Sequence, residues 1–346
     1  MKKTLLAVVT SSLFAASANA AVVYDKDGQQ VDIYGRAQYQ AGQINNDAAG
    51  KADNFGGDAA ARLGVNGKWA TGSDVALISK LEWQITAENT NYGSSDANTT
   101  NITNRYAFMG ADFGNGVQAT VGTQDSAFVQ LSDVTDVYNE YSGLVENQFS
   151  SRWSDSAKVA YQADGWDLRG SVGFSDNQKL NVAATATTPT YKNEYSASAG
   201  YTFPIDATSS LKPVVAYQAL TGNVSSGESF TNEQYAAGLG YTYDAFYLAS
   251  TYGQAKYESK SGVRLADDQK DTVWAVTGTY KVLPAVTLVA GYGLVDPHNY
   301  GTETSKYYVL GAQYDITAKA KAYTEYKINE VANQDDNYYV GLQYNF

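Results

Sequence analysis

From Val31 to the carboxyl end, apolar and polar positions alternate with a period of two. The last stretch shows it most plainly. Tyr338, Val340, Leu342, Tyr344 and Phe346 are apolar or aromatic, while Asn337, Tyr339, Gly341, Gln343 and Asn345 between them are mostly polar or small. That period puts one face of a strand in an apolar medium and the other in a polar one. Sixteen such strands can be counted along the chain, and no segment after the leader reads as a helix. In the first, Val31, Ile33, Ala37 and Tyr39 oppose Asp32, Arg36, Gln38 and Gln40. In the second, Ala61, Leu63, Val65 and Trp69 oppose Arg62, Asn66 and Lys68. The fourth sets Tyr106 and Phe108 against Arg105, Ala107 and Met109. The sixth sets Trp153, Ala157, Val159 and Tyr161 against Arg152, Ser154 and Lys158. The eleventh, Phe246 to Tyr252, has no clear parity, and Pro213 weakens the start of the ninth.

The connections alternate too. Thr71–Asp74, Asp112–Gly116, Ala163–Gly165, Asp244 and Leu283–Pro284 are tight and carry turn chemistry. Gly42–Gly57, Glu88–Thr100, Asp176–Pro189, Gly222–Thr231, Glu258–Lys270 and Val295–Ser305 are longer and polar. An even strand count with short turns at one rim and long loops at the other predicts an all-β fold. The expected form is a 16-stranded antiparallel transmembrane β-barrel with its long loops outside the cell. A soluble sandwich has no reason to sort its connections this way.

Composition fits that pattern. Lys2 and Lys3 precede an apolar run and Ala18-Asn19-Ala20, which reads as a signal peptide over residues 1–20, leaving one barrel domain over 21–346. The apolar run is shorter than the ~20 residues a spanning helix needs. Mean hydropathy is −0.36, which disfavours a helical membrane protein, but a barrel wall shows lipid only every second residue. Tyr (29), Phe (11) and Trp (5) supply interfacial aromatics, and an exported chain with no cysteine needs some stabiliser other than disulfides. The net charge is −12, more negative once the leader lysines are gone. An acidic balance argues against nucleic acid as a partner.

One connection breaks the rhythm. Ser126–Ser150 carries Asp133, Asp136, Glu140 and Glu146 with Tyr138, Tyr141 and Phe149, but no Lys or Arg. Asp136 and Glu140 are four apart, so a helical turn there would put both carboxylates on one face. Read from composition alone, the segment is either an acidic surface loop or an insert folded into the water-filled lumen. Arg36, Arg62, Arg105 and Arg152 fall on the polar faces of four strands in the same half of the chain. Each taken singly is a solvated lumen charge. Together, opposite an infolded acidic loop, they would set up a transverse field that favours water and polar solutes over apolar ones.

Other chemistry is poorly supported. The only histidine, His298, lies in a long loop with turn residues, so no Ser–His pair is built. Asp25-Lys26-Asp27-Gly28 reads as a turn rather than a calcium loop. Asp267, Asp268 and Asp271 offer at most weak divalent-cation contacts among lipopolysaccharide phosphates. No enzyme activity, cofactor or metal is expected. A substrate-specific sugar channel and a sealed barrel acting as adhesin or anchor stay open as alternatives. Tyr34, Tyr323 and Tyr339 face inward without forming the aromatic stripe that a sugar path would use.

Several segments carry a resemblance. Ala21-Val22-Val23-Tyr24-Asp25-Lys26-Asp27-Gly28 running into Val31-Asp32-Ile33-Tyr34-Gly35-Arg36, then Ala61-Arg62-Leu63-Gly64 and Arg105-Tyr106-Ala107-Phe108-Met109-Gly110, resemble the general diffusion porins of Gram-negative outer membranes. Asn139-Glu140-Tyr141-Ser142-Gly143 is similar to that family's Pro-Glu-Phe-Gly-Gly motif, with Asn in place of Pro. The resemblance covers the whole chain after the leader. It implies a homotrimer in outer-membrane lipid and lipopolysaccharide, and an infolded third extracellular loop. It further implies an acidic pore side of Asp133, Asp136 and Glu140, a basic side of Arg36, Arg62, Arg105 and Arg152, and a terminal Phe346 read by the barrel-insertion machinery. The expected function is passive diffusion of ions and small hydrophilic solutes, with mild cation preference.

Overall fold

The computed structural model describes residues 20–43, 55–88, 99–141, 152–174, 190–225, 228–259, 269–298, 304–331 and 334–346. The leader, Asp267 and Asp268, and the loop from Ser142 through Glu146 and Phe149 lie outside the described residues. Nearly everything described is antiparallel strand: β1 (Ala21–Lys26), β2 (Gln29–Gln43), β3 (Phe55–Ala70), β4 (Ala76–Glu88), β5 (Thr99–Asp112) and β6 (Val117–Asp125) come first. A single helical turn, α1 (Val129–Ser132), precedes β7 (Arg152–Ala163), β8 (Trp166–Gly173), β9 (Thr190–Tyr201), β10 (Phe203–Pro204), β11 (Ser209–Ser225) and β12 (Glu228–Tyr243). Then come β13 (Phe246–Ser259), β14 (Gln269–Leu283), β15 (Val286–His298), β16 (Ser305–Asp315), β17 (Ala320–Asn329) and β18 (Asn337–Asn345).

These eighteen segments make sixteen staves of one closed barrel. β9 and β10 run end to end along β11, pairing Gly200 with Val214 and Phe203 with Leu211. β1 and β18 run end to end along β2, pairing Ala21 with Ile33 and Asn345 with Arg36. Between them, Gly35 and Phe346 exchange backbone hydrogen bonds of 2.9 and 3.0 Å. Pairing of β18 with β2 leaves no open edge, which is how a spanning sheet satisfies its backbone in lipid. At the short-turn rim, Asp27-Gly28 and Asp164-Gly165 both hold two successive positive φ values, as tight hairpin turns of strongly twisted strands require. The turn is Asp27-Gly28, while Asp25 and Lys26 end β1 opposite Gln30 and Gln29, so the four-residue stretch read as a turn is half strand.

The outward face is oily, with aromatic bands at both ends. Trp69, Trp166, Tyr243, Tyr280, Tyr314 and Tyr344 stand exposed near the short turns, and Tyr217, Tyr235, Tyr252, Trp274, Tyr308 and Tyr326 near the long loops. On β14, Trp274 and Tyr280 are six residues apart, roughly 20 Å of strand, which is close to the apolar height of such barrels.

Among the register irregularities of the described strands, two correct a sequence expectation. Glu82 pairs with Tyr106 but Trp83 pairs with Asn104, so Arg105 is an extra residue on β5. The bulge turns Tyr106 and Phe108 inward and leaves Met109 outward and 61% exposed, the reverse of the expected parity. Opposite Thr123, β7 carries Ser154 and Asp155, and Gly122 there has φ +121°. That bulge brings Trp153 inward, fully buried against Tyr191, where the sequence pattern put it outward. Lys192 is the extra residue on β9, which turns Tyr191 inward as well. β13 resolves cleanly, with Leu248 and Tyr252 outward and Ala249 and Thr251 inward. Two expected loops are shorter than predicted. β11 and β12 consume most of Gly222–Thr231, and β15 runs on to His298, which is a strand-end residue rather than a loop residue.

Candidate functional site

The described part of the long connection, Ser126 to Tyr141, bonds to side chains on the polar side of the wall. It starts at β8 and β9, where the Ala127 N–H donates to Ser171 and Ser196 Oγ (both 3.0 Å) and Ser198 Oγ donates to the Ala127 carbonyl (2.7 Å). Next, Phe128, Leu131 and Val134 pack on Val214, Ala216, Ala249, Val273 and Ala275 of β11, β13 and β14. Tyr247 OH donates to the Val134 carbonyl (2.6 Å) and Thr277 Oγ1 to Tyr138 OH (3.0 Å). The segment reaches β17 and β2 last. There Glu325, 1% exposed, accepts the N–H groups of Asn139 (2.5 Å), Glu140 (3.0 Å) and Tyr141 (3.4 Å). Lys321 Nζ donates to Asn139 Oδ1 at 2.5 Å. Three backbone donors on one carboxylate make a strong, direction-specific anchor.

The acidic side chains of this segment differ. Asp133 and Asp136 are exposed. Glu140 is half-buried; its Oε1 accepts from Tyr323 OH (2.5 Å) and Gln38 Nε2 (2.8 Å). Burial pushes the Glu140 carboxyl above its ordinary range, against the opposing effects of the Tyr323 hydrogen bond and the Arg36 charge. Helical geometry does not join Asp136 to Glu140. The helical turn ends at Ser132 and turns continue only to Thr135, because the chain must extend to reach Thr277 and Glu325.

Basic side chains also gather on the inward faces of β2, β3, β5, β7 and β8. Arg36 and Arg62 are cross-strand partners, and Arg62 is opposite Gln84, whose Oε1 accepts from Arg62 Nε (3.1 Å) and Arg105 Nη1 (3.4 Å). Setting two arginines side by side costs stability, so the pair is a feature that folding alone would not choose. Arg105 Nε donates to Glu82 at 2.6 Å. Tyr34 OH donates to the same carboxylate at 2.8 Å. Arg152 Nε and Tyr106 OH both donate to Asp125, at 3.0 and 2.5 Å. The Arg105 bulge lets consecutive residues serve two acids, Arg105 serving Glu82 and Tyr106 serving Asp125.

Two glycines let tyrosines bridge three strands. Tyr34, Gly64 and Glu82 are in register, and a Cβ on Gly64 would lie 2.1 Å from the Tyr34 ring. Tyr323, Gly341 and Gln40 repeat the arrangement on β17, β18 and β2. Only glycine permits so close a ring approach, and through it Tyr34 reaches Glu82 and Tyr323 reaches Glu140.

Of the sequence-predicted charged residues, Arg36, Arg62, Arg105 and Arg152 stand on inward strand faces, Asp133 lies 4.0 Å from Arg169, Asp136 is exposed, and Arg36 and Glu140 feel each other's charge. Glu82, Asp125, Arg169, Tyr323 and Glu325 had been assigned no role from the sequence. Arg169 holds Asp167 bidentately and stands 4.0 Å from Asp133. The inward parity of β4, β8 and β17 marks Glu82, Arg169 and Glu325 as lumen groups, but nothing in a strand pattern says which loop atoms they meet.

Comparison with known proteins places these features. The family profile described as Gram-negative porin matches residues 4–335. Outer membrane porin F of Escherichia coli (strain K12) is 26% identical, with 100% of each chain covered. The trimer form of in-vitro folded OmpT, an outer membrane protein of Vibrio cholerae, superposes with a TM-score of 0.69 at 17% identity, covering 92% of this chain and 100% of its own. An anion-selective porin from Comamonas acidovorans gives 0.72 at 15% identity, covering 92% and 100%.

Proposed function

This chain belongs to the Gram-negative porin family, and on that premise we propose how it selects what passes. It is an outer-membrane channel for passive diffusion, not an enzyme. We propose that the segment from Ser126 is an infolded third extracellular loop that narrows the lumen. Asp133, Asp136 and Glu140 form its acidic side, facing Arg36, Arg62, Arg105 and Arg152. The observation that carries this is the Glu325 anchor: three backbone N–H groups of Asn139–Tyr141 donate to an inward carboxylate on β17, which supports a connection folded toward the lumen. Sieving by size and ordering of water by opposed charges follow from that arrangement.

A mild cation preference is part of the proposal, supported by the net charge of −12 and the exposure of Asp133 and Asp136. The similarly folded Comamonas acidovorans porin is anion-selective, so the lining, not the fold, sets the sign. Reversal potentials in a salt gradient test it. Asp136→Asn with Glu140→Gln should move the potential toward zero, and an unchanged potential places the loop outside the current path.

Other proposals extend the reading. Cleavage after Ala20 would start the chain at Ala21, the first residue of β1, in line with the Phe346 end of the barrel seam; amino-terminal sequencing of the exported protein checks it. A homotrimer, supported by the trimer form of the Vibrio cholerae protein, should insert into planar bilayers in conductance steps of three. Lipopolysaccharide around the long-loop rim and recognition of Phe346 by the barrel-insertion machinery complete the set; deleting Phe346 should lower the yield of folded barrel.

A further inference from the structure

Below the root of the long connection lies a second chamber, distinct from the opposed charges above. A cavity of about 300 Å³ is lined by Lys80, Lys158, Arg169, Asp125, Asp133 and Phe108, with Val129 and Ala160 adding apolar surface. Lys80, Phe108 and Lys158 lie in the halves of β4, β5 and β7 next to the short turns. A solute leaving the constriction toward that rim meets this chamber next.

Its charges are unevenly satisfied. Asp125 is engaged on both oxygens, by Arg152 Nε and by Tyr106 OH. Arg169 is held bidentately by Asp167 and has Asp133 at 4.0 Å. The two ammonium groups are different. Lys158 Nζ donates to a neutral acceptor, the Asp125 backbone carbonyl, at 2.9 Å. Lys80 Nζ rests over the Tyr34 and Tyr106 rings, 5.5 and 4.5 Å from their centroids. Among the described residues neither ammonium is in an ion pair. Beyond these pairs, the two ammonium groups stand beside the apolar surface of Phe108, Val129 and Ala160.

We propose that this chamber is a holding station for small organic dianions, with short dicarboxylates as the fitting class. Each ammonium is a compact point donor and takes one carboxylate in a charge-assisted hydrogen bond. The methylene body lies on Phe108 and Ala160. The volume sits at the lower end of small-molecule sites, roughly 300–1,000 Å³, which suits a solute of four or so carbons. The inference rests on the channel reading; the two ammonium groups it uses, Lys80 and Lys158, are not among the proposed constriction residues, although Asp133 borders both the chamber and the proposed constriction.

The probe is sodium succinate, applied from the short-turn side to the wild-type protein in a planar bilayer. Brief current interruptions whose frequency rises with succinate are expected, with none from acetate or chloride at matched ionic strength. Lys80→Gln with Lys158→Gln should weaken the block by about tenfold or more, since two charge-assisted bonds are lost, while Lys80→Arg with Lys158→Arg keeps it. Lys281→Gln with Lys319→Gln, exposed at the same rim, matches the charge change and should leave the block intact. Calorimetry of succinate on detergent-solubilised protein reads the same site without conduction. Binding heat lost in the Lys→Gln pair, even from a barrel that carries no current, supports the station and counts only against the channel reading. A conducting wild-type protein with neither block nor heat, or a Lys→Gln pair that binds as well as wild type, overturns it.

Discussion

At the scale of single residues, the lumen holds its charges through pairing, and the cost of breaking a pair depends on what is left behind. Glu82 is 6% exposed and takes its hydrogen bonds from Arg105 and Tyr34. Arg105→Gln strands that carboxylate with the tyrosine alone. A fully dry pair broken this way costs more, but the lumen is wet, so a loss of about 2–3 kcal/mol is expected. Arg62→Gln removes a guanidinium bonded to neutral Gln84 and relieves its repulsion with Arg36, so it should cost far less. Denaturant unfolding of the refolded barrels compares the two. Glu140 gives a different prediction because burial raises its carboxyl above the usual carboxylate range. An acid with a raised pKa takes up its proton early as pH falls. The loop should therefore lose the Glu140 charge earlier in acidification than an ordinary glutamate would, and cation preference should drop with it. Glu140→Gln should remove that step from the pH profile of the reversal potential while leaving any step at lower pH.

Among elements, the long connection is held by an apolar face as well as by hydrogen bonds. Leu131 is fully buried among inward apolar side chains of the wall. Leu131→Ala should weaken docking by about 2–5 kcal/mol, comparable with other buried leucine truncations. The expected result is a larger, noisier current, whereas Val121→Ala on the oily face should leave the current unchanged. The inward wall residues that receive Leu131 also show why the sequence was only partly legible. Strand count, short and long connections and outward residues follow from a period of two, and they can be read wherever the period holds. Val214, Ala216, Val273 and Ala275 break the inward polar pattern, but an apolar inward residue looks the same whether it packs a loop or merely fills space. Bulges were invisible as well. One extra residue at Arg105 reverses the parity of Tyr106 and Phe108, and no composition signal marks it, because a bulge is a property of two strands in register rather than of one. Arg36, Arg62 and Glu140 were legible as charges on the polar side. The partners Gln84 of Arg62 and Gln38 and Tyr323 of Glu140 were not, since they depend on which strands and loop atoms meet, and Tyr323 reaches Glu140 only because Gly341 lets its ring cross a strand.

Across the whole molecule, the sign of selectivity comes from two sources with different reach. At the proposed constriction, arginines and carboxylates would be opposed, so close-range forces on cations and anions would nearly balance. The excess of acid over base is spread over the whole chain, with a net charge of −12. Its effect on ions entering the mouths is a long-range field, and such fields are screened over a Debye length of roughly 10 Å at 0.1 M salt but only 3 Å at 1 M. Cation preference from net charge should therefore be clear in dilute salt and fade in concentrated salt. A preference from the constriction alone would survive, because charges facing each other across a narrow gap are screened much less. Reversal potentials at a fixed concentration ratio, repeated from dilute to molar salt, separate the two. A cation preference that shrinks toward zero at molar salt assigns selectivity to the overall field. One that holds steady assigns it to Asp136 and Glu140, and in that case their neutralisation should abolish selectivity at every salt concentration.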